Sequence, residues 1–349
     1  MSSIKLKKSK EESLLRRHPW IFSGAIHSAQ GEIEEGDIVD VYSSGGEFLA
    51  KGHSAVGSIA VRVLSFEDVE IDQAWWNERV EKAFALRRTL GFPNRESDCY
   101  RLIHGEGDLL PGLIVDIYGS TAVMQCHSVG MYLEREKISE ALKLSMGDAL
   151  AAIYDKSSKT LPPKCGIDSI DSYLYRIEGY DHRVVVLENG NKFEANWEEG
   201  QKTGFFLDQR DNRALVGRYS GGRRVLNTFC YTGGFSVYAL SSGALSCDSV
   251  DSSEKAIRLC TKNVELNNPT VEHNEYAVDA MEYLRDMDHG AYDLIILDPP
   301  AFAKHHKVLG NALQGYKRLN ARAIEKISAG GILFTFSCSQ AVSSSQFRT

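Results

Sequence analysis

Three residue types near the end of this 349-residue sequence could take part in covalent chemistry on a flat ring. Asp298 precedes Pro299 and Pro300, and consecutive prolines fix the backbone and remove N–H donors. The resulting rigid segment can present Asp298 and a carbonyl group to a planar substrate. Cys338 lies between two serines after a later apolar run, where an ionised thiol would be a nucleophile. The structural alternative is an ordinary strand terminus and a small buried thiol.

A second group of residues has the order expected of a nucleotide-type pocket. The segment 228–236 connects a predicted strand to a predicted helix, and its Gly233 and Gly234 allow the backbone to approach a ligand closely. Asp251 ends the next predicted strand, 18 residues after Gly233, and a carboxylate at that distance typically binds ribose hydroxyls. We expect Asp279 to end the third strand and to meet an adenine edge.

The spacing of these glycines favours a ligand that carries no phosphate. The competing interpretation is a dinucleotide enzyme, but the turn lacks the G-x-G-x-x-G spacing that places a helix N-terminus on a pyrophosphate. S-adenosylmethionine fits the turn better. The predicted cofactor-binding residues at this edge are Phe229, Tyr231, Gly233, Asp251, Ser252, Asp279 and Asp298.

Alternating strands and helices after residue 197 predict the element that must position these residues, a doubly wound parallel sheet of an α/β domain. Its predicted strands are 224–229, 246–251, 274–279, 292–298 and 331–336, with helices over 254–266 and 313–328. Since the carboxyl ends of parallel strands meet at one edge, the turn, the acidic strand ends and Cys338 converge there. The chain ends shortly after the fifth strand, so we expect a fragment of a longer protein.

The first half of the sequence predicts two smaller domains. Residues 1–70 contain short strands at 37–42, 48–51 and 59–64 between Gly-rich turns, which indicates a small β-barrel. Residues 73–195 predict an α+β module. It has helices over 73–90 and 131–145 and hairpins at Gly119-Ser120 and 188–190. The third domain spans residues 197–349.

Composition excludes several classes of protein. The sequence is 43% hydrophobic and 25% charged, which indicates a folded protein, and no apolar run is long enough for a membrane-spanning helix. Seven scattered cysteines with no CxxC pair argue against a metal site and a disulfide framework, so we expect a cytoplasmic location. The net charge is −7, yet residues 1–30 carry six basic side chains against two acidic ones, and a second basic stretch spans 304–322. Either stretch could contact nucleic acid or be ordinary solvated surface.

These motifs together resemble the bacterial 23S ribosomal RNA cytosine-5 methyltransferase family, whose members carry a PUA domain. The resemblance covers essentially the whole chain. Its carriers are Arg17-His-Pro-Trp-Ile-Phe-Ser23, Arg101-Leu-Ile-His-Gly-Glu-Gly-Asp-Leu-Leu-Pro-Gly-Leu113, Glu199-Gly-Gln-Lys-Thr-Gly-Phe-Phe-Leu-Asp-Gln-Arg210, the 228–236 turn, Asp298–Phe302 and Ser337-Cys-Ser339. The resemblance implies a PUA barrel, an α+β linking domain and a Rossmann-like class I methyltransferase domain. It implies large-subunit ribosomal RNA as the partner and allows a homodimer.

The resemblance also implies roles for single residues. Cys338 would be the nucleophile that adds to carbon 6 of cytosine, and Asp298 would bind the base and stabilise the intermediate. Lys202, Phe205 and Gln209 would close over the methionine end of S-adenosylmethionine. The expected substrate-binding residues are Pro299, Pro300, Phe302 and Lys304. Other RNA cytosine-5 methyltransferases have a second cysteine after the two prolines, where this chain has Ala301, so product release must differ.

Two alternatives remain open on the sequence alone. One is methylation of an exocyclic amine such as that of guanine, although such enzymes place an aromatic residue directly after Pro-Pro and have no use for Cys338. The other is an RNA-binding protein that retains a methyltransferase fold without its activity.

Overall fold

The computed structural model describes residues 2–163, 165–182, 184–303 and 308–348. The chain forms two compact units. The first consists of Met1–Val186 and Ala195–Leu207, and the second of Leu187–Glu194 and Asp208–Thr349.

The first unit begins with a six-stranded mixed sheet in the order β2-β6-β5-β4-β1-β3. Its elements are β1 (Ser3–Leu6), α1 (Glu12–Leu15), β2 (Trp20–Phe22), β3 (Ile26–Gln30), β4 (Ile38–Tyr42), β5 (Phe48–Ser54) and β6 (Ile59–Ser65). Alternation in β4 and β6 directs Val39, Val41, Val61 and Val63 into one apolar core. The three strands predicted here are therefore confirmed, and β1 to β3 are added to them.

A second, five-stranded sheet completes the first unit, in the order β11-β10-β9-β8-β7. Its elements are α2 (Gln73–Thr89), β7 (Cys99–His104), β8 (Leu113–Tyr118), β9 (Thr121–Cys126), α3 (Val129–Leu133), α4 (Arg135–Met146), β10 (Ala152–Asp155) and β11 (Ser172–Arg176). Trp76 and Val80 of α2 pack with β8 and β9 residues in one buried cluster. The helix predicted over 131–145 is interrupted at Glu134, which ends α3 and precedes α4.

A hairpin follows, made of β12 (Val184–Glu188) and β13 (Asn191–Ala195) around the predicted turn. The second unit then contains α5 (Arg210–Ser220), β14 (Arg224–Thr228), α6 (Gly234–Ser241), β15 (Ser246–Asp251), α7 (Glu254–Leu266), β16 (Glu272–Ala277), α8 (Ala280–Asp286), β17 (Leu294–Leu297), α9 (Leu309–Lys326), β18 (Ile332–Thr335) and α10 (Ser344–Arg348). Strands β14 to β18 form one parallel sheet in the order β16-β15-β14-β17-β18. The predicted α/β fold class is confirmed.

A buried ion pair joins the hairpin to α5 within the second unit. Glu188 is fully buried, and Arg213, itself 3% exposed, donates to both of its carboxylate oxygens at 2.8 and 2.7 Å. The hydroxyl of Tyr238 on α6 donates to the same carboxylate at 3.0 Å. Removal of Glu188 would leave the Arg213 charge buried without this carboxylate, which is strongly destabilising.

We therefore expect Arg213→Met to lower the free energy of unfolding by about 3 kcal/mol, since the buried Glu188 loses both hydrogen bonds from Arg213 and keeps Arg210, whose Nε lies 3.6 Å from its Oε2. The double variant Glu188→Gln with Arg213→Met should recover a large part of that loss. Urea unfolding of the full chain measures both. Arg258→Met is the matched control, because Arg258 pairs with Glu254 on the surface, where removal costs less than about 0.5 kcal/mol. Equal losses in the buried and the exposed pair would contradict this account.

Candidate active site

The parallel sheet of the second unit has a topological switch point between β14 and β17. From β14 the chain moves to β15 and β16 on one side, and it returns to β17 and β18 on the other. Open α/β sheets bind ligands at the carboxyl ends of the strands at such a point. The candidate site is therefore the edge where the loops after these five strands meet.

The turn after β14 has an unusual backbone. Phe229, Tyr231 and Gly233 all have positive φ angles, of 56°, 47° and 76°. Two of these residues carry side chains, for which the left-handed region is uncommon, so surrounding contacts must hold the turn. The N–H of Cys230 donates to the Val250 carbonyl at 3.0 Å, and that of Gly233 donates to the Cys230 carbonyl at 2.8 Å. The predicted strand–turn–helix arrangement is present at these positions.

Gly233 is required by helix packing as well as by its φ angle. A Cβ atom at this position would lie 2.5 Å from Sγ of Cys260 on α7. A hydrogen bond with Cys230, opposed by burial and assisted by His273, lowers the pKa of the Cys260 thiol. Cys260 is nevertheless fully buried, so it cannot reach a substrate base. Cys338 is the exposed one among these thiols.

Asp251 links the turn to the end of β15. Its Oδ2 accepts the backbone N–H of Tyr231 at 3.0 Å, and its Oδ1 accepts that of Ser253 at 2.9 Å. Each carboxylate oxygen keeps a second lone pair for a ligand, which suits a pair of vicinal hydroxyls. Segment 228–236 contains no lysine or arginine that would pair with a phosphate. These features fit the adenosine of S-adenosylmethionine, and the contact of Asp251 with its ribose stays a prediction.

Asp279 does not end a strand, which corrects the expectation from the sequence. Strand β16 ends at Ala277, and Asp279 is the N-cap of α8. Its Oδ1 accepts the backbone N–H groups of Met281 at 2.8 Å and Glu282 at 3.1 Å. Capping satisfies donors that a helix start leaves open, so the side chain has a structural role in addition to its predicted contact with adenine.

The structure brings Cys338 next to the Pro-Pro segment. Strands β17 and β18 pair in register, with Leu297 opposite Thr335, so the residues that follow both strands lie side by side. The Cys338 thiol donates to the carbonyl of Pro299 at 3.7 Å, one residue from Asp298. The exposed thiol, the half-buried Asp298 and the rigid proline segment therefore meet at one place.

Two residues that sequence reasoning missed hold this arrangement. Ser339 is buried, and its hydroxyl accepts the backbone N–H of Ala303 at 3.2 Å and lies 2.9 Å from the hydroxyl of Tyr316 on α9. The ring of Tyr316 packs against Phe302, with 4.6 Å between centroids. Ser339 thus fixes the loop of Cys338 to the loop of Phe302. In the sequence, only the position of Ser339 directly after Cys338 indicated this role.

The predicted residues of the 199–210 motif fall in different units. Gln209 precedes α5 in the second unit, and its Oε1 accepts the Asn212 amide at 2.6 Å. Lys202 and Phe205 belong to the first unit, where the Tyr118 hydroxyl accepts the Phe205 N–H at 3.2 Å. Their predicted contact with the cofactor stays a prediction. Lys304 lies outside the described residues.

Neither a metal site nor a membrane segment was found in the described ranges. No group of three or more histidine, cysteine or acidic side chains there is placed to hold a metal ion. No helix in the same ranges is both long and apolar enough to cross a membrane.

Comparison with known families agrees with this geometry. Residues 4–66 match the family model of a PUA-like domain, and residues 168–347 match that of an S-adenosylmethionine-dependent methyltransferase. Two solved structures show the same fold at 23% sequence identity over the whole chain. One is a methyltransferase complexed with SAH (TM-score 0.82, 89% of that chain), and the other is described as an S-adenosylmethionine-dependent methyltransferase from Streptococcus mutans (TM-score 0.79, 89%). Fold and site together define a methyltransferase that uses S-adenosylmethionine.

Curated relatives identify the family more closely. The chain is 39% identical over 352 residues to "Ribosomal RNA large subunit methyltransferase I" of Tolumonas auensis. The aligned region covers 99% of this chain and 88% of the relative. It is 40% identical over 343 residues to the protein of the same name from Pseudoalteromonas atlantica, covering 97% and 86%. The chain belongs to the family of these S-adenosylmethionine-dependent methyltransferases.

Asp251→Ala should weaken S-adenosylmethionine binding by about 1–3 kcal/mol, because hydrogen bonds to a charged carboxylate are lost. The substitution also releases the N–H groups of Tyr231 and Ser253, which loosens the turn. Isothermal titration measures the affinity. Glu254→Ala is the control, since Glu254 is an exposed carboxylate three residues further on. Unchanged affinity of the Asp251 variant would remove this residue from the site.

Proposed function

We propose that this protein methylates carbon 5 of a cytosine in 23S ribosomal RNA through a covalent adduct between Cys338 and carbon 6. The observation that carries the proposal is the position of the exposed Cys338 thiol, 3.7 Å from the Pro299 carbonyl beside Asp298. The substrate follows from the relatives, which are named as methyltransferases of large-subunit ribosomal RNA. A cytoplasmic location follows from that substrate.

Carbon 5 of cytosine is too weak a nucleophile to accept a methyl group unaided. The Cys338 thiolate would add to carbon 6, and the electron pair of the former 5,6 double bond then makes carbon 5 nucleophilic. Bound S-adenosylmethionine supplies an electrophilic methyl group at this edge. After transfer, a base removes the proton from carbon 5 and the thiolate leaves carbon 6, which restores the double bond.

The residues after β17 would orient the base for this sequence of steps. Asp298 would hydrogen-bond the polar edge of cytosine and stabilise the adduct. Pro299 and Pro300 hold the segment extended, because neither has rotational freedom about φ. Ser339 ties the Cys338 loop to Ala303, which would limit movement of the thiol relative to a bound base.

RNA binding by the N-terminal sheet is supported by its surface. The six basic residues near the N-terminus (Lys5, Lys7, Lys8, Lys10, Arg16 and Arg17) are all exposed. None of them pairs with a carboxylate among the described residues. Phe22 is 49% exposed and meets Trp20 edge-to-face, so its ring surface is open to a base. Exposed cations and aromatic rings together are typical of surfaces that hold single-stranded RNA.

Cys338→Ala should abolish methyl transfer and leave S-adenosylmethionine affinity nearly unchanged, since the thiol would face the base rather than the cofactor. Wild-type protein should form a covalent adduct with RNA that carries 5-fluorocytosine, because fluorine cannot leave as a proton does. Mass spectrometry of the protein–RNA complex detects the adduct.

The matched control for Cys338 is Cys165→Ala, which removes another thiol that is not fully buried and lies in the first unit. This variant should keep both activity and adduct formation. Substantial turnover by Cys338→Ala, with no adduct in the wild type, would contradict the proposal and favour methylation of an exocyclic amine.

The triple variant Lys8→Ala, Lys10→Ala and Arg16→Ala should weaken binding of ribosomal RNA and reduce its salt dependence. Each lost phosphate contact lowers the slope of log affinity against log salt by about 0.7 for single strands, so the slope should fall by about 2. A filter-binding series over salt concentration measures it. The control triple is Lys82→Ala, Arg88→Ala and Lys143→Ala, whose side chains are already paired with glutamates. An equal fall in both triples would mean that net charge alone matters.

A further inference from the structure

A pocket between α8 and α9 lies beside the proposed catalytic loop. Its volume is about 520 Å³, and its lining includes Met281 of α8, Phe302 of the proline segment and Asn311, Gly315 and Arg318 of α9. We call it the α8–α9 pocket. Its volume is within the range of about 300–1,000 Å³ that small-molecule sites occupy. All its residues belong to the second unit.

The walls of this pocket combine apolar surface with groups that recognise a nucleotide. Phe302 is 36% exposed and Met281 38% exposed, so both present apolar surface to a planar base. Asn311 is exposed and carries an amide that can both donate to and accept from a base edge. Exposed aromatic rings of this kind stack bases with little dependence on sequence.

Arg318 supplies the charge that distinguishes one nucleotide ligand from another. It is exposed, and no carboxylate among the described residues pairs with it. The neighbouring Arg322 on the same helix, by contrast, donates to Glu325 at 2.7 Å. An unpaired guanidinium in a pocket suits a phosphate, which it can bind through two parallel hydrogen bonds.

Gly315 determines the depth of the pocket. A Cβ atom there would lie 3.0 Å from Cδ2 of Phe302, so the ring rests directly on the glycine backbone. Tyr316 also packs against that ring, with 4.6 Å between centroids, and the ring still remains 36% exposed. The stacking surface is therefore fixed from α9, the helix that also carries Arg318.

We propose that the α8–α9 pocket binds a nucleotide that neighbours the target base in the RNA, with its base on Phe302 and its phosphate on Arg318. The inference rests on the proposed RNA substrate and adds a second nucleotide position to it. The pocket would hold the strand while the target base occupies the site beside Cys338. Phe302 lies four residues after Asp298, so one segment would contact both nucleotides.

The adenosine of S-adenosylmethionine is the competing occupant, because Met281 follows Asp279 closely. Adenosine carries no phosphate and would leave Arg318 without a ligand. The two occupants can be separated, since a pocket filled by cofactor is closed to a mononucleotide when S-adenosylhomocysteine saturates the protein.

The test is ligand-observed NMR titration of the full chain with AMP, GMP, CMP and UMP, in the presence of saturating S-adenosylhomocysteine. We expect at least one nucleoside monophosphate to bind, and its parent nucleoside to bind more weakly. Arg318→Ala should weaken the monophosphate about tenfold, as expected when a charged hydrogen bond is lost. Lys317→Ala is the matched control, because Lys317 is an exposed cation on the same helix that does not line the pocket, and binding should be unchanged.

Two results would overturn the inference. Exclusion of every monophosphate by S-adenosylhomocysteine would assign the pocket to the cofactor. Equal binding by wild type and Arg318→Ala would remove the phosphate contact. Neither readout involves methyl transfer. The proposal for the α8–α9 pocket can therefore be wrong while the proposal for Cys338 is right, and the opposite outcome is equally distinguishable.

Gly315→Ala tests the stacking surface separately, and the thermal unfolding midpoint reports whether the variant is folded. Alanine raises helix propensity in α9, while its Cβ would lie 3.0 Å from Cδ2 of Phe302, so the ring must move. The added methyl group should push the Phe302 ring into the pocket and weaken monophosphate binding severalfold. Unchanged binding in a stable Gly315→Ala protein would show that the ring is not the stacking surface.

Discussion

The carboxylate of Asp251 is the interaction on which the candidate site depends. Its two oxygens accept backbone N–H groups on both sides of the edge, from Tyr231 in the turn after β14 and from Ser253 after β15. The turn contains two non-glycine residues with positive φ, a conformation that is unfavourable without external support. A single charged group thus holds two loops in place and keeps lone pairs for a ligand.

The opposite side of the edge is fixed in a different way. There the Ser339 hydroxyl, a neutral group, joins the loop after β18 to the loop after β17 and to Tyr316 of α9. The cofactor side therefore depends on a carboxylate, whereas the proposed base side depends on a hydroxyl buried among apolar groups. A rigid base side is consistent with adduct chemistry, in which thiol and ring must approach within bonding distance.

Local sequence signals predicted the regular elements well. Strand β15 and helix α7 begin and end at the predicted residues, and strands β8 and β9 flank the predicted Gly119-Ser120 turn. The predicted end of β16 at Asp279 was wrong, since the strand ends at Ala277. This strand has no fully buried residue, and the side chain of Asp279 instead caps α8.

Contacts between distant parts of the chain could not be read from the sequence. Gly233 is a glycine partly because Cys260, 27 residues later, occupies the space of a side chain. Thr203 near the predicted Lys202 contact donates to Asp116, 87 residues earlier. Neither contact produces a periodic or compositional pattern in the sequence. The role of Gly233 and of Thr203 is therefore visible only in the folded structure.

The path of the chain between the two units also limits how this protein can be divided. Residues 187–194 belong to the second unit, 195–207 return to the first, and the chain enters the second unit again at Asp208. The chain therefore crosses between the units three times, and no single cut separates them. A fragment that begins after the hairpin would lose Glu188 and leave Arg213 buried without its counterion. The methyltransferase unit is thus not a contiguous module, and a gene fusion that transferred it would have to carry the hairpin along.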